Sequence, residues 1–363
     1  MSIHNRLGLF LLVPLLYTAA ASAQQDSLPT QPDDSRIYLD VVVTPKSGPP
    51  VTGLQQQDFT LLDNKVPRPI TSFRALSRSQ APLEVILVVD AVNTKYETVA
   101  YEREEIDRFL RADGGHLAHP TALAIFTDTG MQIQEGFSDD GNALSASLDQ
   151  YVVGLRTIRR SAAFYGAVER FQLSLNSLRQ LAAREALRPG RKVILWVSPG
   201  WPLLSGPEVE LDPKQRQEIF NDIVSFSTQL QRARITLYSI DPLGSNDFGT
   251  RAFYYEAFLK GISKPSQVDV GDLALQVLAT QSGGLALTVD NDIAAMLQKC
   301  LADTDVYYEL SFDAPLDTKR DEYHHLEIKL KDSGLTARTR QGYYAQPDLK
   351  ELQKIPIVES PTR

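Results

Sequence analysis

The sequence predicts an α/β fold in which a doubly wound, mostly parallel sheet is combined with a small all-β sandwich. Three observations lead to this prediction. Residues 85–89 are continuously apolar and end at Asp90, which is typical of a strand buried on both faces of a parallel sheet. Strands then alternate with helices up to residue 303. Short strands separated by turn residues flank this central region on both sides.

The N-terminal flank shows the first of these β patterns. Strands are predicted at residues 36–43, 59–62 and 70–73, with turn signals at Lys46-Ser-Gly-Pro-Pro50 and Asp63-Asn64-Lys65. The C-terminal flank adds strands at 306–312, 323–331 and 335–340. Because hairpins alone are marginally stable, we expect both flanks to form one β-sandwich.

Between the flanks, helical and strand periodicities alternate. Strands are predicted at 84–89, 121–127, 131–135, 192–197, 235–240 and 284–288, and helices at 95–111, 139–152, 162–187, 213–233, 271–281 and 291–303. The longest helix carries an apolar stripe that includes Phe164, Phe171 and Leu178, and it ends before Pro189-Gly190. This alternation predicts a parallel sheet covered on both faces.

The 363-residue chain therefore divides into six predicted segments. They are a signal peptide (1–23), a disordered lead-in (24–35), the first half of the sandwich (36–75), the α/β domain (82–303), the second half of the sandwich (304–346) and a flexible tail (347–363).

The first 23 residues have the features of a secretory signal. Arg6 supplies a positive charge, residues 7–16 are apolar, and Ala21-Ser22-Ala23 is a small-residue cleavage site. The apolar run is too short to serve as a transmembrane anchor. We therefore expect an exported protein, either periplasmic or extracellular. Its one cysteine, Cys300, excludes an internal disulfide, and the net charge of −8 argues against nucleic acid as a partner.

Three motifs carry a resemblance to a known family. They are Asp90-Ala-Val92-Asn93-Thr94 after the apolar strand, the N-terminal pattern Val51-Thr-Gly-Leu54 … Asp58-Phe59 … Asp63-Asn64 … Ile70-Thr-Ser-Phe73, and the C-terminal Thr339-Arg340-Gln-Gly342-Tyr343-Tyr344. Together they resemble the von Willebrand factor type A (VWFA)-related family of acidobacterial type. The resemblance implies a VWFA domain with a β extension, and it implies no reaction.

The resemblance also implies a metal-ion-dependent adhesion site, which is degenerate in this chain. Asp90 matches the first aspartate of the family motif and Thr94 matches its second hydroxyl, whereas Val92 replaces the first hydroxyl. Ser161 lies beside the position of the usual threonine, and Ser198 stands where a second aspartate is usual. With one carboxylate left, we expect no cofactor, or at most weak binding of Mg²⁺ or another divalent cation. Otherwise Asp90 caps the local backbone.

Aromatic residues are concentrated in loops predicted at the same end of the sheet. Trp201 follows one strand, and the long segment 242–270 contains Phe253, Tyr254, Tyr255 and Phe258. Aromatic side chains are enriched at interface hot spots, so these five residues are candidates for binding a partner. The alternative is that the 253–259 segment forms a short helix packed on the edge of the sheet.

The sequence therefore predicts an exported, non-enzymatic VWFA-type module that binds an unknown protein. No catalytic motif, such as Gly-x-Ser-x-Gly or His-Glu-x-x-His, occurs in the chain. Two alternatives stay open: a metal-dependent adhesion domain that uses Asp90 and Thr94, and a hydrolase with an unrecognised site.

Overall fold

The computed structural model describes residues 36–77, 83–155, 163–202, 210–243, 253–288, 290–315 and 318–347. Among these residues, no helix is both long and apolar enough to span a membrane. The predicted signal peptide, the lead-in and residues 348–363 of the predicted tail lie outside the described residues.

The central feature is a seven-stranded, mostly parallel sheet with the order β11-β10-β9-β5-β6-β7, in which β8 also pairs with β6. The two antiparallel strands are β7 and β8, and the other five run parallel. The strands are β5 (Leu83–Asp90), β6 (His116–Thr127), β7 (Gly130–Ile133), β8 (Ser138–Asp140), β9 (Arg191–Val197), β10 (Ile235–Ile240) and β11 (Ala286–Leu287).

Six helices cover this sheet, and alternate side chains of β5 show that both of its faces are buried. Ile86 and Val88 contact one apolar cluster, whereas Val85 and Leu87 contact the other. The first cluster includes side chains from α3, α4 and α5, and the second includes side chains from α1, α2 and α6. The helices are α1 (Tyr96–Leu110), α2 (Gly141–Leu155), α3 (Ala163–Glu185), α4 (Pro213–Arg232), α5 (Leu275–Gln281) and α6 (Ile293–Asp305).

Two four-stranded antiparallel sheets enclose a separate apolar core, and each sheet contains strands from both ends of the chain. One sheet has the order β14-β1-β12-β4 and the other β15-β13-β2-β3. Leu39, Leu310 and Tyr343 are among the buried side chains between them. The strands are β1 (Arg36–Pro45), β2 (Phe59–Asp63), β3 (Val66–Arg68), β4 (Ser72–Ser77), β12 (Val306–Asp313), β13 (Tyr323–Leu330), β14 (Leu335–Arg338) and β15 (Gly342–Tyr344).

Several elements differ from the sequence-based expectation. The short strands β3, β8 and β15 were not predicted, because a three-residue strand shows no periodicity and is defined by its pairing with β2, β6 or β13. The fifth helix begins at Leu275 rather than at residue 271, because Val270–Leu273 is a 3₁₀ turn. The Asp269 side chain caps that turn through the Gly271 amide, at 2.9 Å.

The sandwich contacts the amino edge of the parallel sheet through partly buried ion pairs and a cation–π contact. Arg234 precedes β10 and adopts a left-handed backbone conformation (φ 52°), and its guanidinium donates to Asp40 Oδ1 at 2.9 Å and to Glu309. Arg191, the first residue of β9, lies with its guanidinium carbon 4.4 Å from the centre of the Tyr307 ring. The carboxyl edge, where Asp90 ends β5, is at the opposite end of the same strands.

Candidate functional site

The candidate site lies where the strand order of the parallel sheet reverses. The strands β6 and β7 follow β5 on one side of the sheet, whereas β9, β10 and β11 lie on the other side of β5. Ligands of open α/β sheets bind beyond the carboxyl ends of strands at such a switch point. Asp90 is the last residue of β5 and Ser198 directly follows β9, so the structure brings these two predicted site residues together.

The carboxylate of Asp90 is fully occupied by donors from the protein itself. Its Oδ1 accepts from the backbone amides of Val92, at 2.9 Å, and Asn93, at 2.8 Å. Its Oδ2 accepts from Asn93 Nδ2 at 2.8 Å, Trp196 Nε1 at 3.1 Å and Ser198 Oγ at 2.8 Å. A carboxylate has about four lone-pair sites, so five donors saturate Asp90. Burial raises the pKa of Asp90, although the bonds from Asn93, Ser198 and Trp196 oppose that effect.

The other predicted metal ligands are arranged less favourably for a cation. Ser198 Oγ donates to Asp90 and accepts from the Gly200 amide, at 3.2 Å, so this hydroxyl is already used. Thr94 is completely buried, and its Oγ1 has no hydrogen-bond partner. Ser161 lies outside the described residues. Among the residues that are described, no group of three or more His, Cys, Asp or Glu is placed to hold a metal ion. Of the predicted ligands, Asp90 and Ser198 are therefore already hydrogen-bonded within the protein.

Glu102 of α1 is a buried acid at this site that the sequence reading missed. It is completely buried, and neither carboxyl oxygen forms a hydrogen bond of good geometry. Burial raises its pKa well above the ordinary value, and the charge of Asp90 raises it further, whereas the nearby Thr94 hydroxyl lowers it. A signal was present in the sequence, because Glu102 lies three residues after Val99 and four before Ile106, on the buried face of the helix.

The variant Glu102→Gln is expected to stabilise the protein by about 1–3 kcal/mol at pH 8, because it removes a buried acid whose carboxyl oxygens form no hydrogen bond of good geometry. The pKa is raised in the folded state, so the folded protein binds the proton more tightly than the unfolded chain. Wild-type stability should therefore fall as the pH rises from about 4.5 through the folded-state pKa, and the benefit of the variant should shrink towards pH 5.

The measurement is urea unfolding of both proteins between pH 5 and pH 8. Glu104→Gln is the matched control, because Glu104 is exposed on the same helix. An equal change for both variants at all pH values would contradict the assignment of Glu102 as a buried, unpaired acid.

Trp201 lies in the core beneath the carboxyl edge of the sheet. Its side chain is only 4% exposed, and its ring packs edge-on against Trp196 with 5.7 Å between the ring centres. The sequence analysis placed Trp201 among the residues that contact a partner. In the structure this indole is covered, because apolar side chains of the first core cluster surround it.

The other four aromatic candidates lie together in one short segment. Tyr254–Phe258 forms a 3₁₀ turn, which is the compact arrangement that the sequence analysis left open as an alternative. Phe253 is 48% exposed, and the remaining aromatic side chains of the segment are half-buried: Tyr254, Tyr255 and Phe258. We call residues 253–258 the aromatic turn. Phe258 is seated against Gly271, where an added Cβ would lie 2.6 Å from the phenyl ring.

The side chain of Gln276 connects the aromatic turn to the switch point. Its Oε1 lies 3.3 Å from the Tyr254 hydroxyl, and its Nε2 donates to the carbonyl of Pro199 at 3.4 Å. Gly200, in the left-handed region (φ 94°), leaves room for this amide, because a Cβ there would lie 2.5 Å from Gln276 Nε2. The aromatic turn is therefore linked through Gln276 to the loop that follows β9, and Phe253, at the start of the turn, is exposed.

Comparisons with known proteins give only distant structural similarity. No family model and no curated protein matches the chain. The solved structures it resembles include the PilB minor pilin from Streptococcus sanguinis (TM-score 0.38, 12% identity, 65% of this chain and 63% of that chain), the pilus adhesin SpaC from Lactobacillus rhamnosus GG (0.36, 10%, 79% and 48%) and the manganese-loaded Plasmodium vivax TRAP protein (0.34, 9%, 76% and 98%). The chain thus spans less than two thirds of either pilus protein. At these TM-scores the similarity establishes neither family nor function.

Proposed function

We propose that this protein is an exported, non-enzymatic VWFA-type module that binds another protein at the carboxyl edge of its parallel sheet. The observation that carries the proposal is the aromatic turn, which exposes Phe253 and is linked through Gln276 to the loop that follows β9. The order of the strands, with β7 as an antiparallel edge, supports the VWFA type of fold. The N-terminal signal pattern supports export.

Binding at this edge does not use a metal ion in our proposal. Cation-binding carboxylates need free oxygen lone pairs, and those of Asp90 are taken by five internal hydrogen bonds. Asp90 then serves to fix the loop that follows β5 and the start of the loop that follows β9. A rigid loop loses less conformational entropy when a partner binds.

The hydrolase alternative has little support in the described residues. A buried Asp–His pair does occur, with Asp63 Oδ1 at 2.8 Å from His324 Nδ1. However, it lies inside the β-sandwich, and His324 Nε2 is buried with no hydrogen-bond partner. The neighbouring Tyr343 hydroxyl donates to Asp63 Oδ2 at 3.2 Å rather than to the imidazole, so the pair has no nucleophile in place.

Phe253→Ala and Tyr255→Ala are expected to weaken partner binding by more than about 1 kcal/mol each, which is roughly a fivefold loss of affinity, if they form the hot spot of the interface. The partner would first be isolated by pull-down from the native envelope fraction, and affinities would then be measured by calorimetry.

Val66→Ala is the matched control, because Val66 is 51% exposed on the β-sandwich. Circular dichroism should show that all three variants are folded. Undiminished affinity in both aromatic variants, or an equal loss in the control, would remove the aromatic turn from the interface.

A metal-dependent adhesion domain is the second candidate, and one observation favours it. Thr94 Oγ1 and both Glu102 carboxyl oxygens are buried near Asp90 without hydrogen-bond partners, and such oxygens are the ligands that divalent cations prefer. Calorimetric titration with Mg²⁺ and Mn²⁺ separates the two candidates. Heat of binding that disappears in Thr94→Val would favour the metal-dependent function, whereas no heat in the wild type would favour the metal-independent one.

A further inference from the structure

A small cavity lies where the β-sandwich meets two helices of the α/β domain. Its lining includes Ser227 of α4, Gln281 of α5, and Tyr323, Arg340 and Tyr344 from the C-terminal flank. The cavity volume is about 20 Å³. A cavity needs roughly 10–15 Å³ to hold one water molecule, so there is room for one occupant of about that size.

Arg340 contributes a buried positive charge to this cavity. Its side chain is nearly covered (8% exposed), and its Nη1 donates to the neutral Gln231 Oε1 at 3.3 Å. Within the described part of the chain, Arg340 forms no ion pair. Burial lowers the pKa of Arg340 to about 10, because the charged guanidinium has lost its water. A buried charge of this kind is costly unless an opposite charge accompanies it.

The carboxylate whose charge acts on Arg340 is already used by other arginines. Asp40 raises the pKa of Arg340 and so partly offsets the effect of burial. However, Asp40 accepts from Arg234 at 2.9 Å and lies 3.7 Å from the Nε of Arg191. Asp40 is thus shared with two other guanidinium groups, and within the described residues no carboxylate forms an ion pair with Arg340.

We propose that the cavity binds a small inorganic anion of the size of chloride, with the Arg340 guanidinium as its charged partner. The Ser227 hydroxyl and the Gln281 amide line the same space and are donors for the anion. Larger oxyanions such as sulfate, which surround a central atom with four oxygens, exceed the available room. An anion at this position contacts the C-terminal flank and both helices, so it joins the sandwich to the α/β domain. This inference is independent of the proposed partner-binding site.

The test is thermal unfolding of the full mature chain in sodium chloride and in sodium gluconate at equal ionic strength, since gluconate is too large for the cavity. We expect the wild-type Tm to rise saturably with chloride and not with gluconate, as linkage requires for an anion that binds the folded state. Arg340→Gln should abolish the chloride-specific rise. Arg320→Gln is the matched control and should retain it, because the Arg320 side chain is 68% exposed.

Equal Tm values in the two salts for the wild type would overturn the proposal, as would a chloride-specific rise that persists in Arg340→Gln. If that variant does not fold, wild-type crystals grown in sodium bromide provide a second measurement. An anomalous bromide peak beside the Arg340 guanidinium is expected, and its absence at saturating bromide would equally overturn the proposal.

Discussion

Asp90→Ala should destabilise the protein by about 3–5 kcal/mol, which is the usual effect of removing one partner from a buried, charged hydrogen-bond network. The substitution leaves the Trp196 indole N–H, the Ser198 hydroxyl and two backbone amides buried without their acceptor. Urea unfolding followed by tryptophan fluorescence is a suitable measurement. The only two tryptophans of the chain, Trp196 and Trp201, pack against each other beside this network.

Asp139→Ala is the control for the loss of an acidic side chain, because Asp139 is exposed. Asp90→Asn adds a sharper comparison, since it keeps the shape of the side chain but turns one acceptor into a donor that faces other donors. We expect it to be destabilised as well. If both Asp90 variants retained full stability and lost only a Mg²⁺-dependent rise in Tm, Asp90 would be a metal ligand rather than a structural cap.

Arg234→Met is expected to cost about 1–3 kcal/mol, since it removes the closest hydrogen-bond donor of two carboxylates that each keep one other arginine, Arg191 for Asp40 and Arg74 for Glu309. Arg234 binds Asp40 from β1 and Glu309 from β12. The substitution therefore weakens the contact between the sandwich and the α/β domain. The measurement is urea unfolding at pH 7. We expect the transition to shift to lower urea concentration or to split into two steps.

The double variant Arg234→Met with Glu309→Gln tests the cause of this effect. If the excess negative charge is responsible, removing one carboxylate should recover part of the lost stability. Arg234→Gly provides a separate control for the backbone, because glycine adopts the left-handed conformation of this position without strain. Recovery in Arg234→Gly equal to that in the double variant would assign the effect to backbone strain instead of charge.

Local periodicity was sufficient to predict the main elements of the α/β domain. The strands β5, β9 and β10 and the helices α1 and α4 begin and end within one or two residues of their predicted positions. This agreement has a simple physical reason, since a buried strand or an amphipathic helix repeats its apolar residues at a spacing that can be read from neighbouring positions. The location of Asp90 at the carboxyl end of β5 follows from the same pattern.

The chemistry of the site depended on contacts that no local pattern contains. Trp196 and Ser198 donate to Asp90 from 106 and 108 residues away, and these bonds occupy Oδ2 of a side chain that was predicted as a cation ligand. The environment of Glu102 could likewise be predicted only in part from the sequence. Its helical position was readable as a buried face, but its lack of a partner depends on where Thr94, Asp90 and Asp241 lie around it.

The sequence by itself determined the class of fold, the order of the main strands and helices of the α/β domain, and the residue at which the first parallel strand ends. Those properties depend on hydrophobic periodicity and turn chemistry, which act over a few neighbouring residues. Only the tertiary structure decided that Trp201 is covered, that Asp90 is saturated and that Arg340 forms no ion pair among the described residues. Burial and hydrogen-bond pairing depend on contacts between side chains that are far apart in the sequence. Local sequence patterns do not specify such contacts.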